Sequence, residues 1–311
     1  MLAIIVKQVL KLYKLKKILS INNLTKKFGK ITAVDNLSFD IEKGKIYGIL
    51  GPNGSGKSTT LGIVLNVVNP TSGEFSWFEE GLSHHEALKK VGAIIERPNF
   101  YPYMTAEQNL KLVCKIKESD PNRIREILEM VNLLDRKDSK FSTFSLGMKQ
   151  RLAIGSALVN DPEFLILDEP TNGLDPQGIH EIRSIIKDIA AKGTTILLAS
   201  HLLDEVEKVC SDVVVIQKGK MLYCGPVDKM SSTNGIFFVS AQDKEKLEQA
   251  LQNMPEIDSI TEENDILSFQ PASPLEAHEL NKILMDQGII LNHLEKRAPS
   301  LEEEFLALTT N

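Results

Sequence analysis

The run Gly51-Pro52-Asn53-Gly54-Ser55-Gly56-Lys57-Ser58-Thr59 carries the densest chemistry in this sequence. It follows an apolar stretch at 46–50 and opens a helical pattern from Ser58 to about Val68. Strand, glycine-rich turn and helix are the context that a phosphate-binding loop requires. Glycines let the backbone curl until successive N–H groups converge on an anion. The new helix adds its positive N-terminal end. Lys57 reaches β- and γ-phosphates as a point charge, and Ser58 offers a hydroxyl to Mg²⁺. A glycine turn that matches the pattern by chance is the alternative, and the rest of the chain has to decide between them.

Other chemistry-bearing residues lie downstream. Phe164-Leu165-Ile166-Leu167 reads as a buried strand ended by Asp168-Glu169. Adjacent carboxylates there are costly unless they face a cation or a polar site. Asp168 can serve Mg²⁺ through water, and Glu169 can hold an attacking water. His201 follows a strand at 194–199. That is the end of a strand where open α/β sheets hold their ligands, although a satisfied structural histidine is the alternative. Ser145 precedes Gly147, which heads an apolar-periodic helix to about Val159. The serine is an N-cap, and the same geometry makes an anion-binding helix terminus. Phe28 either stacks on an adenine face or fills the core.

Regular elements must position these groups. Alternation predicts strands at 18–24 and 33–41, and a near-continuous apolar run predicts a doubly covered strand at 46–50. A strand at 91–96 runs into Arg97-Pro98-Asn99-Phe100-Tyr101-Pro102, where the prolines force extended or turn structure. Thr105-Ala106-Glu107-Gln108 is a capping box for a helix ending near Lys117, and Asp120-Pro121 opens another through about Val131. Residues 97–160 therefore read as an inserted helical subdomain. A helix at 177–191 and a hairpin of 213–217 with 221–223 complete this part. A polar cluster at 231–235 reads as a linker. Beyond it, the order βαββαβ from 236 to 293 suggests a small ferredoxin-like domain, and Ser300 caps a closing helix at 301–308.

The 311 residues, 42% hydrophobic and 25% charged, are enough for two globular domains. A net charge of -6 argues against nucleic-acid binding, which favours a basic face. Cys114, Cys210 and Cys224 form no CxxC pair and read as reduced thiols. No apolar run approaches the ~20 residues needed to span a bilayer. Residues 1–17 interleave apolar and lysine residues, which fits a basic amphipathic helix or an unstructured extension ahead of a start at Leu15.

Together these residues resemble the nucleotide-binding subunit of an ABC transporter, over residues 18–226. Residues 51–59 match its phosphate loop, Ser145-Leu146-Gly147-Met148 its signature motif, and residues 165–169 its second Walker motif. Leu174-Asp175 matches the D-loop, and His201 the switch histidine. The resemblance implies an α/β P-loop NTPase core with an antiparallel β subdomain and a helical subdomain. It implies ATP held by Phe28, Val34, Asn53, Gly54, Ser55, Gly56, Lys57, Ser58 and Thr59, and, from a second copy, by Ser145, Gly147 and Asp175. Ser58, Asp168 and Glu96 would hold Mg²⁺, while Glu169, His201 and Glu96 would act in hydrolysis. Two copies would pair head to tail and drive a separate integral-membrane permease from the cytoplasmic face. Leu146 stands where the family usually has glycine, and Glu96 where it has glutamine. That Glu96, with the following Tyr101-Pro102-Tyr103-Met104-Thr105-Ala106 and the C-terminal domain, resembles the bacitracin-resistance and lantibiotic self-immunity branch. The expected role is expulsion of a membrane-active peptide contacted by the permease. The alternatives are an ATP-gated sensor acting through a membrane partner, or an exporter of other cargo. Replacing Lys57 with alanine is expected to weaken ATP binding more than about tenfold and to abolish hydrolysis, as read by calorimetry and phosphate release.

Overall fold

A computed structural model of the chain describes residues 16–78, 82–95, 99–230, 235–255, 257–263 and 265–297. The N-terminal extension through residue 15, Glu96, the linker cluster at 231–234 and the closing helix at 301–308 lie outside the described residues. The chain divides into two compact units, Met1–Val227 and Asp228–Asn311.

In the first unit, β1 (Lys17–Phe28) and β2 (Ile31–Glu42) form an antiparallel pair, longer than the alternation predicts. β3 (Ile46–Leu50) leads through the glycine-rich loop into α1 (Lys57–Val64). This helix stops short of Val68 because Asn66 takes a left-handed conformation, φ 60°, and the N–H groups of Val67 and Val68 fold back onto the Gly62 carbonyl. β4 (Ser72–Trp77) pairs with β1, giving a three-stranded sheet of order β2-β1-β4. α2 (His84–Lys89) starts at a capping box between Ser83 and Glu86. Neither β4 nor α2 is legible from periodicity, since each buries a single side chain, Trp77 and Ala87.

β5 (Val91–Ile94) precedes the helical insertion. There α3 (Ala106–Lys117) begins at the expected capping box, with Thr105 and Gln108 each accepting from the other's N–H. Asp120 caps the turn that opens α4 (Ile124–Met130), and Ser145 caps α5 (Leu146–Ala157). β6 (Phe164–Asp168), α6 (Pro176–Ala191), β7 (Thr195–Ser200), α7 (Leu203–Val209), β8 (Asp212–Gln217) and β9 (Lys220–Pro226) follow. The central sheet runs β5-β6-β7-β3-β8-β9, parallel except at β9. Every residue of β6 and β7 is buried, as a sheet covered on both faces requires. Register places Leu50 opposite Ser200 and Asp168 opposite Ala199. The C-terminal ends of β3, β6 and β7 therefore share one edge of the molecule, where the glycine-rich loop, Glu169 and His201 emerge.

The second unit contains β10 (Ile236–Ala241), α8 (Lys244–Gln252), β11 (Ile257–Glu263), β12 (Ile266–Pro271), α9 (Ala277–Asp286) and β13 (Leu291–Arg297). Its antiparallel sheet has the order β11-β12-β10-β13, the split βαβ arrangement that the sequence suggests. Phe237, Val239, Leu247, Leu251, Phe269, Leu280 and Leu284 fill its core.

Trp77 ties the two sheets of the first unit together. It is 2% exposed, donates from Nε1 to the Val64 carbonyl at 2.9 Å, and meets Phe164 edge-on at 5.1 Å. Trp77→Ala is expected to cost about 3–5 kcal/mol and Trp77→Phe about 1 kcal/mol in urea unfolding followed by circular dichroism.

Candidate functional site

The glycine-rich loop is threaded between other backbones. Gly54 and Gly56 take φ of 80° and 111°, a region that side chains disfavour. A Cβ on Gly56 would lie 2.4 Å from the Ala33 carbonyl, and one on Gly51 would lie 2.2 Å from that of Ile216. Ser55 N–H donates to the Pro52 carbonyl and Gly219 N–H to that of Ser55, closing the turn. Ser55 Oγ is buried with no hydrogen-bond partner among the described residues. The N–H groups of Lys57, Ser58 and Thr59 begin α1, where a helix has no internal acceptor for them. Lys57 is 6% exposed, and its Nζ curls back to the Gly51 carbonyl at 2.7 Å. The loop thus gathers an unfilled donor, a helix terminus and a buried ammonium, which suits a phosphate chain.

Glu169 lies against Lys57. Its Oε1 is 3.5 Å from Lys57 Nζ and its Oε2 is 2.8 Å from His201 Nδ1. Its φ of 49° is left-handed, a conformation costing about 1–2 kcal/mol, and its N–H is fastened to the Ala199 carbonyl at 2.9 Å. Asp168, just before it, is 4% exposed. The structure therefore brings Lys57, Asp168, Glu169 and His201 to one place, and the carboxylate joins the cation to the imidazole. Ser58 is exposed on the first turn of α1. Its hydroxyl and the Asp168 carboxyl are hard oxygen donors of the kind that would suit Mg²⁺.

Asn53 and Gly54 are exposed, Ser55 and Gly56 are buried, and Thr59 is half-buried. Phe28 is 50% exposed with Lys26 Nζ 4.8 Å over its ring, so it is not a core residue and presents a face for stacking. Val34 differs. It is 1% exposed within the core and offers no side-chain surface. Ser145, Gly147 and Asp175 line a separate open cavity of about 470 Å³ with Leu146, Arg151 and Gly173, and no residue of the glycine-rich loop lines it. Ser145 Oγ accepts from Met148 N–H, and Asp175 Oδ1 accepts from Gly178 N–H at 2.8 Å, so both also cap helices. The sequence reading missed Gly219, which supports the loop from the hairpin turn. A Lys-Gly turn between strands is its only local signal.

The ABC transporter family model matches residues 34–172. The chain is 37% identical over 296 residues to the bacitracin transport ATP-binding protein BcrA of Bacillus licheniformis, covering 94% of this chain and 97% of that one. It is 43% identical over 204 residues to the lantibiotic transport ATP-binding protein SrtF of Streptococcus pyogenes, covering 66% of this chain and 89% of that one. This chain belongs to the ATP-binding subunits of ABC transporters. A dimeric post-hydrolysis state of the ATP-binding cassette MJ0796, bound to ADP and Pi, superposes with a TM-score of 0.59 at 28% identity, covering 67% of this chain and 98% of that one. As an ABC transporter ATP-binding subunit, the protein binds and hydrolyses ATP to drive transport and works with separate membrane permease components. Gly51→Ala in this subunit is expected to force the loop off the Ile216 carbonyl, lowering ATP affinity more than about tenfold by calorimetry while circular dichroism keeps a folded spectrum.

Proposed function

We propose that two copies of this subunit close head to tail over MgATP and power a permease that expels membrane-active antimicrobial peptides. The observation that carries the dimer is the division of the site. Lys57, Glu169 and His201 cluster at the phosphate loop, while Ser145, Gly147 and Asp175 line a cavity without it. A second copy supplies what each half lacks. The peptide cargo is supported by BcrA, a bacitracin transport protein, whose likeness covers 94% of this chain and so reaches into the second unit. Among the described residues no helix is long and apolar enough to cross a membrane. In this reading the permease holds the subunit at the cytoplasmic face.

In this scheme the loop amides and Lys57 take up the β- and γ-phosphates, and Phe28 stacks on the base. Ser58 and Asp168 would hold Mg²⁺, as would Glu96, which lies outside the described residues, and the ion would supply charge neutralisation for the phosphates. The triphosphate draws the Lys57 ammonium off the Gly51 carbonyl and away from Glu169. Freed of that cation, Glu169 keeps its orientation through His201 and Ala199 and accepts a proton from the attacking water. His201, on the same edge, faces the γ-phosphate. Ser145 and Gly147 of the second copy close over it with a helix N-terminus.

Glu169→Gln tests this reading. The variant is expected to bind ATP as the parent does, to form an ATP-dependent dimer by size exclusion with light scattering, and to hydrolyse about 10²–10⁴-fold more slowly. In cells it should lose survival of bacitracin-like or lantibiotic challenge. A variant that stays monomeric with ATP removes the head-to-tail dimer, and unaltered peptide survival removes the cargo.

A further inference from the structure

β7 ends at Ser200, which is fully buried, and α7 begins at Leu203. His201 lies in the short link between them. The N-cap of α7 is Leu202, whose side chain carries no oxygen and makes no cap. Its N–H donates instead to Ser200 Oγ at 3.0 Å, and the Ser200 hydroxyl donates onward to Glu205 Oε2, also at 3.0 Å. In an ordinary capping box the glutamate at the third helical position accepts directly from the N-cap N–H. Glu205 occupies that third position, and a serine hydroxyl is interposed. The link becomes a relay that grips the chain on both sides of His201.

This relay is placed unlike the other caps. The boxes at Ser83–Glu86 and Thr105–Gln108 are built from exposed hydrogen bonds. Glu205 is 2% exposed, and its Oε1 has no hydrogen-bond partner among the described residues. Burying a carboxyl group with one oxygen unsatisfied is unfavourable, and a cap alone does not require it. Its position beneath the His201 link gives it a second purpose. Glu169 N–H is tied to the Ala199 carbonyl one residue before Ser200, so both partners of the 2.8 Å Nδ1···Oε2 contact are referenced to the same strand end.

We propose that Glu205, acting through the Ser200 hydroxyl, is a positioning residue that holds His201 against Glu169 for ATP hydrolysis. The inference rests on the proposed role of His201. Hydrolysis rates and ATP affinity should be measured for Glu205→Ala, Glu205→Gln and Ser200→Ala, each in the parent and in a His201→Ala background. In the parent, Glu205→Ala and Ser200→Ala are each expected to lower kcat about 10- to 100-fold while leaving ATP affinity within about twofold. Combining them should do no more than either alone. Glu205→Gln, whose amide oxygen still accepts from Ser200, should recover most of the rate. With His201 already replaced, none of the three should lower kcat further. Equal losses in both backgrounds would mean a general structural role and overturn the proposal. So would an unchanged kcat in Ser200→Ala when His201→Ala is slow, an outcome readable even if Glu205→Ala does not fold. An unimpaired His201→Ala would instead remove the hydrolytic role of His201 itself, and this inference with it.

Discussion

Parallel pairing of β3, β6 and β7 is the constraint on which the rest of the molecule depends. It sets Leu50 beside Ser200 and Asp168 beside Ala199. Each strand is followed at once by a residue or loop with chemistry in it, and the pairing delivers all of these to one edge. Nothing local to the glycine-rich loop could bring a carboxylate and an imidazole to it. The cost of that edge is visible in the left-handed φ of 49° at Glu169. The strain is tolerated because the residue's N–H is held by the neighbouring strand, so that the surrounding sheet over-determines its conformation.

Charge balance follows from that placement. Without a ligand, the nearly buried Lys57 ammonium is satisfied by the Gly51 carbonyl and lies within reach of Glu169. Glu169 is shared with His201. In the proposed scheme a triphosphate competes for the cation with far more charge than one carboxylate, so that nucleotide binding would release Glu169. The proposed chemistry draws on Lys57, Glu169 and His201, which are already close in the subunit. It needs the second set of groups, Ser145, Gly147 and Asp175, which this fold assembles in a different cavity.

The second unit carries no comparable constellation among its described residues. It has a core of its own, in which Phe237 stacks on Phe269. Its contribution to the functional reading is the extent of the likeness to BcrA.

Much of this was legible in the sequence because it is encoded over a few residues. Glycine spacing wrote the tight turn before α1, Thr105 with Gln108 wrote a capping box, apolar runs wrote β3 and β6, and alternation wrote the order of the second unit. Elements with little burial escaped. β4 and α2 each hide one side chain, so periodicity had nothing to report. The environment of single residues escaped as well. Phe28 is exposed and Val34 is buried, though both lie on strands of one hairpin, and only the packing of β1 and β2 against their neighbours separates them. The sequence by itself singled out the groups proposed to handle phosphate. Tertiary structure decided that Lys57, Glu169 and His201 touch, that Ser145 and Asp175 do not join them, and that Glu205 is buried beneath the histidine link. The physical reason is range: turn, cap and strand preferences act between near neighbours, while those contacts are set by the order of strands in a sheet.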